Sequence, residues 1–259
     1  IKNKTLSNNL KLNILKELSN SINISSKLVI KSASINSKEI KKNDIFFALR
    51  GKNKDGNLFV KEALHKGASL AIVNNQKKSK KTIVVKDTLK LLTKASSILR
   101  ENLPSKIISI TGSCGKTSLK ELIGSSLNKI SQTTYSRESF NNKYGVPLSL
   151  FNLKKNDEFG VFEIGMDKKG EIDYLSKIIK PDVGVITNIS HAHIKNFKNI
   201  NQIALAKSEI IKNINDDGYL VLNKDDQFYN FHKKIALKRN LKILSFSLKN
   251  KSATTYLDS

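Results

Sequence analysis

A chain of 259 residues, 39% hydrophobic and 26% charged, has the length and composition to bury one large or two medium cores, which excludes a disordered polymer. No apolar run reaches the roughly 18 residues of a membrane span, the Lys-, Asn- and Glu-broken first stretch is not expected to act as a secretory leader, and a single cysteine cannot close an internal disulfide. The net charge of +24 points to an anionic partner. Its lysines are scattered apart from one block at 76–81, without zinc-finger spacing or an aromatic RNA signature, so neither nucleic-acid binding nor membrane insertion is expected.

Along the chain, "DIFFAL" (44–49) reads as a buried strand, residues 58–68 as a helix ended by Gly67, and "SLAIV" (69–73) and "TIVV" (82–85) as strands. Residues 88–102 carry helical spacing up to the stop at Pro104, which places a domain boundary there. Beyond it strands and helices alternate. Strands are expected at 106–112, 159–166, 182–190, 218–223 and 241–247, and helices at 116–130, 170–180 and 199–214. β-branched strands alternating with helices imply an α/β fold, in which a small mixed N-terminal domain (1–103) precedes a mainly parallel-sheet P-loop domain (104–250). Residues 251–259 read as the exit from that domain.

Ligands of such sheets bind beyond the carboxyl ends of the strands, and "ITGSCGKTS" (110–118) follows the 106–112 strand. The long phosphate-loop spacing G-x-x-x-x-G-K-[ST] is not met, because Ile110 stands where its first glycine belongs. Gly112 and Gly115 still allow tight turns that aim N–H groups at phosphate. Lys116 would then contact the outer phosphates and the Thr117 hydroxyl a Mg²⁺ ion. Cys114 reads as a spacer, not a nucleophile. Glu163 interrupts an apolar strand, where a carboxylate needs a cation or a hydrogen-bond donor. His191 and His193 follow the 182–190 strand, and composition does not choose between them. Asn223, Asp225 and Asp226 follow the 218–223 strand. Lys207 lies on the Ile200/Ile203/Ala204/Ile211 side of its helix, either as a snorkelling amine or in a more specific role.

Four stretches, "TGSCGKTSLKE", "SFNNKYGVPLSL", "FEIGMDKKGEI" and "ITNISHAHIKNFKNINQIALAKSEI", together resemble the Mur ligases, ATP-dependent amide-forming enzymes of peptidoglycan precursor synthesis. Their short phosphate loop, G-x-x-G-K-[TS], accounts for residues 112–117. The resemblance implies ATP and Mg²⁺ as cofactors. It assigns nucleotide contacts to Gly112, Ser113, Cys114, Gly115, Lys116, Thr117, Ser118, Asn141 and Asn142, and with less support to Asn223. It implies a metal shell of Thr117, Glu163 and His193, the last through Ala192-His193-Ile194. It also implies that Lys207 is carbamylated and offers an anionic oxygen to a second Mg²⁺. The implied catalytic set is therefore Lys116, Glu163, His193 and Lys207.

Asn-Asn-x-x-Gly-Val-Pro at 141–147 favours the family member that joins D-alanyl-D-alanine to UDP-N-acetylmuramoyl-tripeptide over the one that adds the third peptide residue. Residues 34–73 resemble the domain for the uridine-diphosphate end of that substrate, with Ser37, Lys38, Asp55 and Gly56 as contacts. Lys38 stands where the family has Arg, which removes a bidentate fork. The family normally continues into a C-terminal nucleotide-fold domain that this chain does not include. Another Mur-type ligase, a folylpolyglutamate-type ligase, a non-catalytic module binding ATP or the UDP-precursor, and an anion-binding protein driven by the +24 charge are the competing readings. A cytoplasmic monomer is expected.

Overall fold

The computed structural model describes residues 9–21, 24–51, 54–76, 79–191 and 196–257. The chain divides into two compact units, Ile1–Leu103 with Leu150–Lys155, and Pro104–Ser149 with Asn156–Ser259. Among the described residues no helix is long and apolar enough to cross a membrane.

In the first unit, strands β1 (Ala33–Ser34), β2 (Ile45–Phe47), β3 (Leu70–Val73) and β4 (Thr82–Val84) form a parallel sheet in that order. Every residue of β2 and β3 is buried, as expected for a parallel sheet covered on both faces. Phe46, Ala48, Ala71 and Val73 share one core cluster with Val60 and Ala63 of α2 (Val60–His65). Helix α3 (Thr88–Glu101) starts at Asp87, whose carboxylate accepts the Lys90 N–H at 2.9 Å, and packs against α1 (Leu10–Ser19). Residues 150–155, expected in the second domain, belong to the first unit instead. The reason is local pairing. Asn152 Oδ1 accepts the Ala33 N–H at 2.7 Å while its amide donates to the Ala33 carbonyl at 3.0 Å, which satisfies the edge strand β1. Phe151 stands edge-on to Phe47 with ring centroids 5.6 Å apart.

In the second unit the order is β5 (Lys106–Thr111), α4 (Lys116–Asn128), β6 (Thr133–Tyr135), α5 (Gly145–Phe151), β7 (Phe159–Glu163), α6 (Glu171–Ile179), β8 (Val183–Ile186), α7 (Ile200–Lys207), β9 (Tyr219–Asn223), α8 (Tyr229–Leu237), β10 (Lys242–Ser247) and β11 (Thr255–Tyr256). The last two residues of α5 fall in the first unit. The seven strands form one parallel sheet, ordered β11-β10-β9-β8-β5-β7-β6. Ile110, Val161 and Val185, one each from β5, β7 and β8, fill the core beneath α4 with Leu119, Ile123 and Leu127 packed on them. The chain leaves β5 towards β6 and β7 and later returns to β8 on the other side. The carboxyl end of β5 is therefore the switch point of the sheet, the place where ligands of such folds bind.

Within the segment read as the exit from this domain, Thr255–Tyr256 form the edge strand β11, paired in parallel with β10. The helix expected over 199–214 is α-helical only to Lys207 and tightens into a 3₁₀ helix at Ser208–Asn213. There Glu209 accepts the Gly170 N–H at 2.9 Å and the Asp173 N–H at 3.1 Å, so it satisfies the start of α6.

Candidate functional site

β5 ends at Thr111, and the chain turns through Gly112, Ser113, Cys114 and Gly115 into α4. Gly112 has φ +148°, and a Cβ there would stand 1.9 Å from Thr187 Oγ1, so only glycine fits. Gly115, with φ +78°, caps α4 without a side chain, and nothing lies within 4 Å of the place a Cβ would take. The first-turn N–H groups, which have no intrahelical partner, and the positive end of the helix dipole are thus left open to an anion.

The loop is stitched to the chain following β8. The Ser113 N–H donates to the Asn188 carbonyl at 2.9 Å, and the Cys114 N–H to Asn188 Oδ1 at 3.1 Å. The Ser190 N–H donates to Ser113 Oγ at 2.9 Å, and the Thr187 hydroxyl to the Cys114 carbonyl at 2.7 Å. Ser113 therefore ties the loop through both its N–H and its Oγ, and Cys114 through its backbone N–H and carbonyl. Asp226, beyond β9, accepts the Ile189 N–H at 2.7 Å and ties down the same β8 loop. Asn223 uses its Oδ1 on the Asp225 N–H at 3.0 Å and closes its own turn.

Lys116 Nζ donates to the Gly112 carbonyl at 2.9 Å and to the Ser113 carbonyl at 3.3 Å. Lys207 Nζ donates to the same Gly112 carbonyl at 2.9 Å. Lys207 is only 2% exposed. Burial first, then the neighbouring Lys116 charge, lowers its pKa from 10.5 to about 7. Buried His232 of α8 meets the Ala204 carbonyl of α7 with its Nε2 at 3.2 Å, and burial pushes its pKa below the ordinary histidine value.

Glu163, the last residue of β7, pairs in register with Ile110 and so lies beside the start of the loop. It is 1% exposed. Its Oε2 accepts the Thr117 hydroxyl at 2.7 Å and its Oε1 the Asn141 amide at 2.7 Å. Both donors are neutral, so a buried anion is hydrogen-bonded without a countercharge from either. Among the described residues no three His, Cys, Asp or Glu side chains gather at one point. Magnesium is commonly held by one or two carboxylates together with phosphate and water oxygens, and the Thr117–Glu163 pair fits that donor set.

The structure brings Gly112, Ser113, Cys114, Gly115, Lys116, Thr117, Asn141, Glu163 and Lys207 together. Asn142 is not drawn in, because its Oδ1 accepts the N–H groups of Tyr144 and Gly145 at the start of α5. Ser118 lies exposed in the first turn of α4. His193 lies outside the described residues. His191 is described and exposed. Sequence reasoning missed Lys120, a fully buried lysine of α4 whose Nζ donates to the Ser136 carbonyl at 2.7 Å. A lysine three residues past Thr117 on an amphipathic helix gives no sign of burial by itself.

In the first unit, Ser37 and Lys38 lie in a 3₁₀ helix at Ser37–Glu39 capped by Asn36, and Gly56 opens another at Gly56–Phe59 capped by Asp55. Both pack on α2. The Ser37 hydroxyl donates to Glu62 Oε2 at 2.7 Å and helps hold that carboxyl below its usual pKa. The Lys38 N–H donates to Asn36 Oδ1 at 3.1 Å. Asp55 accepts the backbone N–H of Asn57 at 2.9 Å and its side-chain amide at 2.6 Å, and these bonds lower its pKa. Gly56 donates its N–H to the Leu49 carbonyl at 2.9 Å.

Residues 110–258 match the Mur ligase middle domain, and residues 29–101 match the Mur ligase family, catalytic domain. The first match alone spans more than half of the sequence, and the chain belongs to the Mur ligase family. It is 38% identical to the UDP-N-acetylmuramoyl-tripeptide–D-alanyl-D-alanine ligase of Rickettsia prowazekii over 88% of this chain and 49% of that protein. It is 37% identical to the ligase of the same name from Buchnera aphidicola, over 86% of this chain and 49% of that protein. Among solved structures, a crystal structure of MurF from Acinetobacter baumannii superposes with a TM-score of 0.80 at 32% identity, covering 94% of this chain and 53% of that one. MurF ligase from Thermotoga maritima, in complex with ADP, gives a TM-score of 0.72 at 30% identity over 87% of this chain and 52% of that one. The chain thus spans about half the length of the curated relatives it matches.

Proposed function

We propose that this chain supplies the nucleotide and UDP-precursor parts of an ATP-dependent ligase that joins D-alanyl-D-alanine to UDP-N-acetylmuramoyl-tripeptide. The observation that carries the ATP reading is the convergence of Lys116, Thr117 and the buried Glu163 at the carboxyl end of β5. The names of the relatives support the choice of peptide and dipeptide, and the ADP in the Thermotoga maritima structure supports the choice of nucleotide.

In this reading the γ-phosphoryl group of ATP passes to the terminal carboxylate of the tripeptide. The amine of D-alanyl-D-alanine then displaces phosphate from the resulting acyl phosphate. The N–H groups at the start of α4 hold the phosphates, and Lys116 exchanges its loop carbonyls for phosphate oxygens as charge builds there. Thr117 and Glu163 would hold Mg²⁺, which neutralises phosphate charge when bound. Asn141 keeps the Glu163 carboxylate oriented. With a pKa near 7, Lys207 presents a neutral amine at physiological pH in a good part of the molecules. That state can add CO₂, and the carbamate would face the same metal region. No side chain is required as a nucleophile. Ser37, Lys38, Asp55 and Gly56 are proposed for the UDP end of the substrate, and a cytoplasmic location follows from a soluble nucleotide precursor.

The test is amide formation by the full gene product, with ATP, Mg²⁺, D-alanyl-D-alanine and either the muramoyl-tripeptide or the muramoyl-dipeptide. Product mass matching the pentapeptide, lost in Lys116→Ala, is expected. Equal turnover of the dipeptide precursor would reject the substrate, and turnover unchanged in Lys116→Ala would reject the role of the loop.

A further inference from the structure

Lys120 has 0% of its surface exposed, although it carries an ammonium group in the middle of α4. Its Nζ donates to the carbonyls of Ser136 at 2.7 Å and Glu138 at 3.0 Å, and it pairs with the carboxylate of Glu121, which is 48% exposed. Glu138 adopts φ +45°, a left-handed conformation that non-glycine residues rarely take. Three polar contacts and a strained residue are thus gathered around one buried amine.

The two carbonyls belong to the segment between β6 and α5, and the same segment supports Glu163 at two points. Ser136 Oγ accepts the Glu163 N–H at 3.4 Å, and the Asn141 amide donates to the Glu163 carboxylate at 2.7 Å. Asn141 is itself fixed, with its N–H on the Ser139 carbonyl at 2.7 Å and its carbonyl accepting the Gly165 N–H at 2.8 Å. The other carboxylate oxygen is held by Thr117, one helical turn before Lys120 on α4. Thr117, Glu163, Asn141, the 136–141 segment, Lys120 and α4 therefore close a ring. Removing Lys120 opens it between α4 and the 136–141 segment.

We propose that Lys120 is a positioning residue of the metal–nucleotide site: by fastening the 136–141 segment to α4 it sets Asn141, and through Asn141 the direction in which Glu163 offers its carboxylate. The proposal rests on the reading of residues 112–117 and Glu163 as a magnesium–nucleotide site. The Nζ of Lys120 is taken up by the Ser136 and Glu138 carbonyls and the Glu121 carboxylate, so its loss is expected to act through Glu163 on the metal-dependent part of binding.

The experiment is calorimetric titration of ATP, once with Mg²⁺ and once with EDTA, into the wild-type chain, Lys120→Met, Asn141→Ala and the double variant, with melting temperatures measured alongside. Lys120→Met is expected to weaken Mg²⁺-dependent affinity about tenfold and leave affinity in EDTA unchanged. Asn141→Ala should weaken Mg²⁺-dependent affinity at least as much, and the double variant should lose no more of it than Asn141→Ala alone, because both break the same ring. A folded Lys120→Met with wild-type Mg²⁺ dependence, an equal loss in EDTA, or additive losses in the double variant would each overturn the proposal. Should Lys120→Met fail to fold, Glu121→Gln at the half-exposed partner tests the same link. A roughly threefold weakening confined to Mg²⁺ supports the proposal, and no change overturns it. If the wild-type chain binds no ATP under either condition, the nucleotide reading falls and this proposal with it. If the wild type binds and the variants match it, Lys120 alone is at fault.

Discussion

Lys207 donates its buried ammonium to the carbonyl of Gly112 at 2.9 Å, across 95 residues of sequence, and shares that acceptor with Lys116. The contact joins the end of α7 to the turn that opens the phosphate loop. Two ammonium groups on one carbonyl repel each other, and one of them is withdrawn from water. This arrangement favours the neutral form of Lys207.

The first prediction concerns stability against pH. The folded pKa of Lys207 is lowered from 10.5 to about 7, so between these values the unfolded chain binds more protons than the folded one. Stability therefore rises with pH through that window as the penalty for burying a charge is relieved. In CO₂-depleted buffer, Lys207→Met should melt well above the wild type at pH 6, by an amount on the order of a few kcal/mol. The gap should narrow steadily above pH 7. A gap that stays constant with pH would show that Lys207 is not titrating in the fold.

Glu163→Gln removes a buried charge whose bonds come from two neutral donors. Stability should change by no more than about 1 kcal/mol, because an amide can still accept one of those bonds. Mg²⁺-dependent ATP binding should fall at least about tenfold. Paired melting and binding curves check this, and unchanged Mg²⁺ dependence removes Glu163 from the metal site.

Gly112→Ala places a methyl group 1.9 Å from Thr187 Oγ1 at φ +148°. The loop must shift, at a cost of about 2 kcal/mol or more. Denaturant unfolding should show the loss. Gly115→Ala, with open space around its Cβ, should cost only the strain of φ +78°. Equal losses at the two positions would contradict the packing described here.

Asp226→Ala should destabilise by about 2 kcal/mol, since the Ile189 and Phe228 N–H groups lose a charged acceptor at 2.7 and 2.8 Å. Amide exchange at Ile189 should speed up while that of β5 stays slow. Unchanged exchange at Ile189 would show that the β8 loop is held by its bonds to Ser113 and Cys114 alone.

The parallel sheet and the phosphate loop could be read from sequence because both are written locally. β5 is a short β-branched run ended by glycine, and Gly112, Gly115, Lys116 and Thr117 lie within six positions of one another. Glu163 stood out as a charge in an apolar strand, and Lys207 as an amine on the apolar side of α7. The features that escaped depend on contacts between distant residues. Asn152 belongs with the first unit because it completes β1, some 119 residues away. Lys120 is buried by carbonyls of a segment with no periodic signature. Asn141 and Asn142 are neighbours of identical chemistry, and only backbone direction sends one to Glu163 and the other to the start of α5. The switch to a 3₁₀ helix after Lys207 accompanies Glu209 reaching α6, which no local pattern records.

The most direct test of the nucleotide site is titration of ATP into the 259-residue chain with and without Mg²⁺, repeated for Lys116→Ala. Saturable binding that tightens with Mg²⁺ and falls by about tenfold or more without the Lys116 ammonium is the predicted result. Binding indifferent to both the metal and the substitution, or no binding at all, would contradict it.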